Sequence, residues 1–384
     1  MEKTEGSPMR RHLRSLGLVL LCAILLTGCW DAREVEERTS VIAIGVDRHA
    51  EGYEVTIQVP IPLKVVGGGG GEGGESGHQA VQTFTGRGST LSRAIDQIQD
   101  KVNQELFFGH TRLFLVGEEL AKEGIEELLD SSRRQPQARR RQWMLVVKGK
   151  ARDAIESEPK MEQIPMQYYI NMIETGVRLG RFAEEGLGAV FSGLANPGKN
   201  PVLNYVDPKN RTVRWAGLGV MAKDRVVGVL TRREATTFLQ IRSKELGEPL
   251  GAPCPEGEGR LVFEPKELTR KIRIYSRNHR PEIRVTVQVK GGIIEKTCHE
   301  LDLSKQETMD RVTQAVQATY QRRARHLVKK VQKELKADGF NFGNHVRAYH
   351  PDLWKRIDWD KEFPRMKIHV SYDVDILRTG LRYK

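Results

Sequence analysis

Between Leu16 and Leu26 the chain is apolar, and the run closes in Leu26-Thr27-Gly28-Cys29. Where everything downstream must fold follows from these residues. Arg10, Arg11 and Arg14 precede the run. It is too short to span a bilayer core, which takes roughly 20 apolar residues, and it has the length and flanks of a signal-peptide h-region. A branched apolar residue, two small ones and a cysteine make a lipobox. The small residues admit a signal peptidase to the backbone, and the thiol receives the lipid. Residues 1–28 are therefore expected to be a lipoprotein signal peptide, with Cys29 the lipidation site, carrying diacylglycerol. Glu2 and Glu5 suit a basic n-region poorly, which leaves Met9 as an alternative start. Two acyl chains, at about 0.8 kcal/mol per buried methylene, hold a protein stably to a membrane. No later segment is long and apolar enough to span one. From Trp30 onward the chain is expected on the extracytoplasmic face.

With 39% apolar and 29% charged residues over the whole chain, the composition is that of folded protein and not of a disordered tail. The length of the mature part suits two or three domains. The net charge of +12 fits the anionic membrane surface beneath a tethered protein. Nucleic acid, the rival partner for a basic chain, is set aside because an exported, tethered protein rarely meets it and no binding motif is present. Beyond Cys22 and Cys29, Cys254 and Cys298 remain. Export permits a disulfide, but two thiols far apart in sequence are weak grounds for one, and free thiols are the favoured reading.

Val41 to Val46 and Tyr53 to Val59 read as a strand hairpin, the second strand alternating apolar and polar residues. The low-complexity run 67–77 is almost all glycine. It lacks the Gly-Lys-Ser/Thr ending of a phosphate loop and reads as a flexible loop. Ala80 to Thr85 is a third strand. A helix follows from Thr90 to about Gln104, with Leu91, Ile95, Ile98 and Val102 on one face. Thr111 to Val116 and Gln142 to Val147 are strands, with a helix from Glu118 to about Ser131 between them. The cluster Arg133, Arg134, Arg139, Arg140 and Arg141 reads first as a solvated face and second as a membrane or partner contact. Residues 159–208, rich in Gly, Pro and Asn, look like a connector with a short helix at Gln167 to Val177.

Trp215 to Leu230 is a hairpin and Thr231 to Ile241 a helix; with a boundary at 247–259 they suggest a small middle domain. Strands at Arg260 to Phe263 and Lys271 to Ser276 lead into Glu282 to Lys290, where Ile283, Val285, Val287 and Val289 share a face. Ser304 with Glu307 forms a capping box for a long helix ending at Asp338-Gly339. Its apolar stripe runs from Val312 through Val316, Tyr320, Ala324, Leu327 and Val331 to Leu335. Arg322, Arg323, Arg325, Lys329, Lys330 and Lys333 are expected on the opposite, exposed face. Met366 to Leu377 is a last strand. The expectation is a multidomain α+β chain of mixed and antiparallel sheets with packed helices. Its units are 1–28, 29–208, 209–259 and 260–384, the last carrying the long amphipathic helix.

No zinc, hydrolase-elbow or Cys-x-x-Cys motif is present. The side chains of Cys298, His299 and Glu300 would alternate faces on a strand, so they do not converge. No catalytic residue, cofactor or metal ligand is expected. A solute-binding lipoprotein stays open as an alternative, but it would need two similar α/β lobes around a cleft.

Cys29-Trp30-Asp31-Ala32-Arg33-Glu34, followed by Ile42-Ala43-Ile44-Gly45-Val46-Asp47, resembles the start of the Ger(x)C family. These are the lipoprotein C subunits of spore germinant receptors. A second block is Gly109-His110-Thr111 with Gly117 to Ile125 and Arg139-Arg140-Arg141. A third runs from Asp338-Gly339-Phe340-Asn341-Phe342-Gly343 through Pro351 to Lys355, Trp359 and Phe363-Pro364. The long glycine run and the high arginine content depart from the pattern. The resemblance implies a non-enzymatic subunit assembled with a multi-pass A subunit and a permease-like B subunit in the spore inner membrane, where nutrients trigger germination. Only Cys29 carries over as a site.

Overall fold

A computed structural model describes residues 38–61, 80–134, 139–159, 161–162, 164–277, 280–298 and 301–377. The expected signal peptide, the expected lipidation site Cys29 and the glycine run 67–77 lie outside the described residues. The expected first hairpin is formed by β2 (Ala43–His49) and β3 (Gly52–Pro60), with Ala43 opposite Gln58 and His49 opposite Gly52. β4 (Val81–Gly88) pairs outside β3. The short β1 (Arg38–Ser40) runs parallel to β5 (Glu105–Phe107).

On the other side of β2 come β6 (Leu113–Gly117), β7 (Trp143–Val147) and β8 (Val202–Lys209), each parallel to its neighbour. β9 (Thr212–Ala222) and β10 (Arg225–Thr231) complete an eight-stranded mixed sheet, ordered β10-β9-β8-β7-β6-β2-β3-β4. The inner strands are apolar without alternation because both faces are covered. Leu113, Leu115, Leu145 and Val147 point into one core, and Phe114, Val116, Met144 and Val146 into the other.

The second core is covered by α1 (Leu91–Gln99), α2 (Glu118–Glu123), α3 (Glu126–Arg134) and α6 (Leu187–Ala195). α1 stops at Gln99, short of the expected end. There the Gln99 amide donates to the Gln104 carbonyl at 2.8 Å and accepts from Leu106 N at 2.9 Å, turning the chain into β5. The helix expected from Glu118 to Ser131 is two helices. Gly124 separates them at φ +136°, where an added Cβ would lie 2.5 Å from an Asp224 carboxylate oxygen. α4 (Ala151–Ile155), α5 (Pro165–Arg178) and α7 (Arg232–Ser243) cover the first core. Asp47, at the end of β2, caps α4 across the sheet, accepting from Ala151 N at 2.7 Å and Arg152 N at 3.0 Å.

Two expectations fail here. The supposed connector 159–208 is folded body, holding α5, α6 and the interior strand β8. The supposed middle domain is no separate unit: β9 and β10 extend the large sheet, and α7 packs beneath it.

The last third is built on a four-stranded sheet ordered β11-β12-β13-β14. β11 (Leu250–Pro253) lies in the stretch expected to be a boundary and pairs with Arg260 to Phe263. The two short strands expected at 260–276 are one, β12 (Arg260–Arg277), in a long hairpin with β13 (Arg280–Lys296). Ile283, Val285, Val287 and Val289 share the buried face, as their alternation predicts. β14 (Lys367–Ile376) lies parallel to β13, the parallel pairing being reached through α8 (Gln306–Lys329) and a π-helical extension, Lys330–Leu335. The α8 stripe is buried from Val312 to Val331, and Tyr320 stacks on Tyr372 of β14 with ring centres 4.8 Å apart. Burying a valine or leucine side chain of this kind contributes about 1.5–3 kcal/mol.

The expected Ser304 capping box is absent. The Ser304 hydroxyl donates to Asp302 Oδ1 at 2.6 Å, so the carboxylate takes the group that would have met the first helical amides. A capping box does form at α7, between Thr231 and Glu234. Cys254 and Cys298, read as free, form a disulfide, their Cα atoms 6.2 Å apart; the β11-β12 hairpin together with the pairing of Leu261 with Lys296 at the end of β13 supplies the proximity that sequence distance hid.

Candidate functional site

Cys29, the one site residue expected from the sequence, lies outside the described residues; the first described stretch after it, residues 38–41, is held to the body. The Thr111 hydroxyl, buried, donates to the Val41 carbonyl at 3.0 Å, and Val41 N donates to the Phe107 carbonyl at 2.9 Å. Thr39 Oγ1 donates to Gln104 Oε1 at 3.0 Å, and the Ser40 hydroxyl meets His110 Nδ1 at 3.1 Å. Gly109 sits against the Phe107 ring, where a Cβ would lie 2.3 Å away. Gly109-His110-Thr111 thus clamps the strand that leads away from the proposed anchor.

A second concentration of polar groups lies where the two sheets meet. Asp338 is buried; its Oδ2 accepts from Gly343 N at 2.6 Å and from Trp359 Nε1 at 3.2 Å. Burial raises its pKa to about 6, against the pull of those donors and of Arg242. Arg242, at the end of α7, donates to the Asn200 carbonyl at 3.2 Å and also to the Gly339 carbonyl and the Glu185 carboxylate. Arg270 of β12 in turn donates to the carbonyls of Ile241 and Arg242. α9 (Phe342–Tyr349), α10 (Pro351–Trp354) and α11 (Trp359–Glu362) close over this point. Gly198, at φ +82°, leaves room for the Trp354 ring, which a Cβ would approach to 2.6 Å. Sequence reasoning missed Asp338, Arg242 and Asp47 as structural centres. The signal available was an acidic residue embedded in apolar sequence at Val46-Asp47 and at Asp338-Gly339-Phe340.

The charged surfaces rearrange the expected pattern. Arg139, Arg140 and Arg141 are exposed, Arg133 lies over the Phe191 ring at 4.9 Å, and Arg134 pairs with Asp130 at 2.9 Å. On α8 and its extension, Arg322, Arg325, Lys329 and Lys333 are exposed as expected, but Arg323 and Lys330 are half-buried. Lys330 Nζ pairs with Glu234 at 2.9 Å and donates to the Val229 carbonyl at 3.1 Å. Burial opposes ionisation of Glu234, but Lys330 and Thr231 outweigh it and hold the carboxyl below its usual range. Arg322 and Arg323 line a half-open cavity of about 930 Å³ with Arg232, Arg233 and Arg260. Among the described residues, no three His, Cys, Asp or Glu side chains gather to hold a metal ion, and no helix is long and apolar enough to cross a membrane. Cys298 is tied to Cys254, while His299 and Glu300 lie outside the described residues.

Residues 31–208 match the family model described as "Spore germination protein N-terminal domain". Residues 216–380 match "Spore germination B3/ GerAC like, C-terminal". The chain is similar to spore germination protein KC of Bacillus subtilis (strain 168), 28% identical over 95% of each chain. It is also similar to spore germination protein YndF of the same organism, 24% identical over 97% of this chain and 98% of the relative. Among solved structures, the GerBC protein shares the fold with a TM-score of 0.58 at 18% identity, over 86% of this chain and 96% of that one.

Proposed function

The chain belongs to the Ger(x)C family of spore germination proteins, and from that premise we propose that it is the lipoprotein C subunit of a nutrient germinant receptor. In this reading diacylglycerol on Cys29 fixes it to the outer face of the cell membrane, which becomes the inner membrane of the dormant spore. It holds a multi-pass A subunit and a permease-like B subunit in register for triggering germination, without turnover of its own. The observation that carries the reading is one of position. The family match begins at residue 31, directly after the lipobox cysteine, so the whole matched body hangs from that residue. The clamp at Thr111 and Val41 supports it, because a docked stem passes position from the lipid to the body. A solute-binding lipoprotein would need two similar lobes, and the mixed eight-stranded sheet and the four-stranded sheet are unlike.

Cys29→Ala tests the anchor. The precursor should stay unlipidated, the protein should leave the membrane fraction, and co-purification with the multi-pass and permease-like partners should fall. Incorporation of a labelled fatty-acid analogue into the variant at the parent level would refute the reading.

A further inference from the structure

The cavity between α7, α8 and the β11-β12 hairpin gathers five arginines and His326 from three distant stretches of sequence. Two carboxylates, Glu234 and Glu248, also line it, and each already has a partner. Glu234 is taken by Lys330 and the Thr231 cap, and Glu248 pairs with Arg232 at 2.9 Å. Among the described residues, Arg233, Arg260, Arg322 and Arg323 have no carboxylate partner; Arg322 reaches only the Thr319 hydroxyl, at 3.3 Å. Arg323 is half-buried in this company. Burial first, then the Arg233 and Arg322 guanidiniums, lower its hold on its proton. Tyr320 and Tyr372 beside it supply no charge, since burial raises both phenols above their usual value. A half-buried cation among like charges is unfavourable unless something anionic completes the site.

We infer that this cavity binds a phosphoryl group, carried either by a soluble ester or by a phospholipid headgroup. Guanidinium forks match tetrahedral oxyanions in bidentate geometry. A phosphomonoester brings up to two charges and three acceptor oxygens to one centre, a density that a single carboxylate does not reach; a phospholipid's diester brings one charge and two free oxygens. The volume of about 930 Å³ lies within the range of small-ligand sites, so the rest of an ester has room. The cavity is concave, and its partly sunken arginine suits a discrete group better than the plane of a membrane. The Cys254–Cys298 disulfide closes the loop that carries Arg260 and fastens that wall.

The test uses the full chain with Cys29→Ala, so that the anchor masks nothing. Arg233→Gln with Arg323→Gln is compared with Lys271→Gln plus Arg273→Gln, which removes two exposed charges from β12 outside the cavity. Titration calorimetry with pyrophosphate at physiological salt reads the soluble source. Sedimentation with phosphatidylglycerol vesicles, against phosphatidylcholine, reads the lipid source. Binding in one arm is expected to weaken at least about tenfold in the cavity variant and to persist in the control. Pyrophosphate dependence assigns a soluble ester, and vesicle dependence alone assigns a headgroup. Removing Arg323 relieves repulsion, so the variant should melt no lower than the parent; if it does, Arg233→Gln with Arg260→Gln, both exposed, replaces it. Equal behaviour of cavity variant and control in both arms overturns the inference. Cavity-dependent binding of polyglutamate without either phosphoryl probe also overturns it, and assigns an acidic protein segment instead.

Discussion

Replacing Asp338 by asparagine should remove one specific component of the pH dependence of stability. In the folded protein this carboxyl titrates at about 6, against an ordinary 3.8, because burial disfavours its charged form more than Gly343 N, Trp359 Nε1 and Arg242 favour it. A displacement of that size is worth about 3 kcal/mol. Since the folded pKa is raised, the native state holds a proton that the unfolded chain has already lost between about pH 4 and pH 6. The stabilisation is therefore complete below the unfolded pKa and is lost as pH rises through the folded one, at up to about 1.4 kcal/mol per pH unit. An asparagine in its place cannot ionise, and the amide oxygen can still accept from Gly343 and Trp359. Urea unfolding of parent and Asp338→Asn at half-unit steps from pH 4 to 7.5 should give two curves that diverge by about 3 kcal/mol across the window and run parallel above it. The remaining acids titrate in both proteins and cancel. Curves that stay parallel from pH 4 to 6 would show that Asp338 is ionised in the fold throughout, and the argument from burial would fail.

Two other perturbations probe the packing. A Cβ at position 343 would lie 2.6 Å from Trp359 Nε1 and 2.7 Å from the Gly198 backbone. Overpacking should outweigh the gain in helix propensity, and Gly343→Ala should lose about 1–2 kcal/mol; Gly251→Ala, with open space around it, is the neutral reference in the same melts. Cys254→Ser with Cys298→Ser opens a cross-link with a sequence separation of 44 and should cost about 2–4 kcal/mol. An unchanged denaturation midpoint under non-reducing conditions would refute it.

Elements with one dominant period were legible in sequence. The β2-β3 hairpin, the alternation of β13 and the α8 stripe all announce themselves locally, because one buried face repeats every two or every three to four residues. The stretch 159–208 was not legible, and the reason is physical. Its glycines make turns, Gly180 and Gly198 at positive φ, and interrupt any pattern. β8 also carries a buried Asn204, whose amide satisfies the Ala183 backbone at 2.9 and 3.1 Å. The helix expected at 118–131 misled because one apolar face continues across Gly124 although the backbone does not. The arginine cavity was half legible. The α8 residues Arg322 and Arg323 stood out in sequence as a basic face, but nothing local foretold that Arg233 and Arg260 would meet them. The disulfide and the Asp47 cap fail for the same cause: each joins residues that only the finished topology brings together.

The place of Arg242 bears on how such proteins can change over generations. The two family segments divide between residues 208 and 216, yet that cut falls inside a hydrogen-bonded pair. All but the last residue of β8 lies before it and the larger part of β9 after it, in register from Val202–Val220 to Lys209–Thr212. Arg242 follows the cut, while Glu185 and Asn200, which it holds, precede it. Exchanging one segment with a relative at that boundary would pair strands that had never been matched and present the guanidinium with foreign acceptors. The segments are therefore not interchangeable modules. A substitution on one side of the seam sets what the other side can tolerate, and the two must diverge in step.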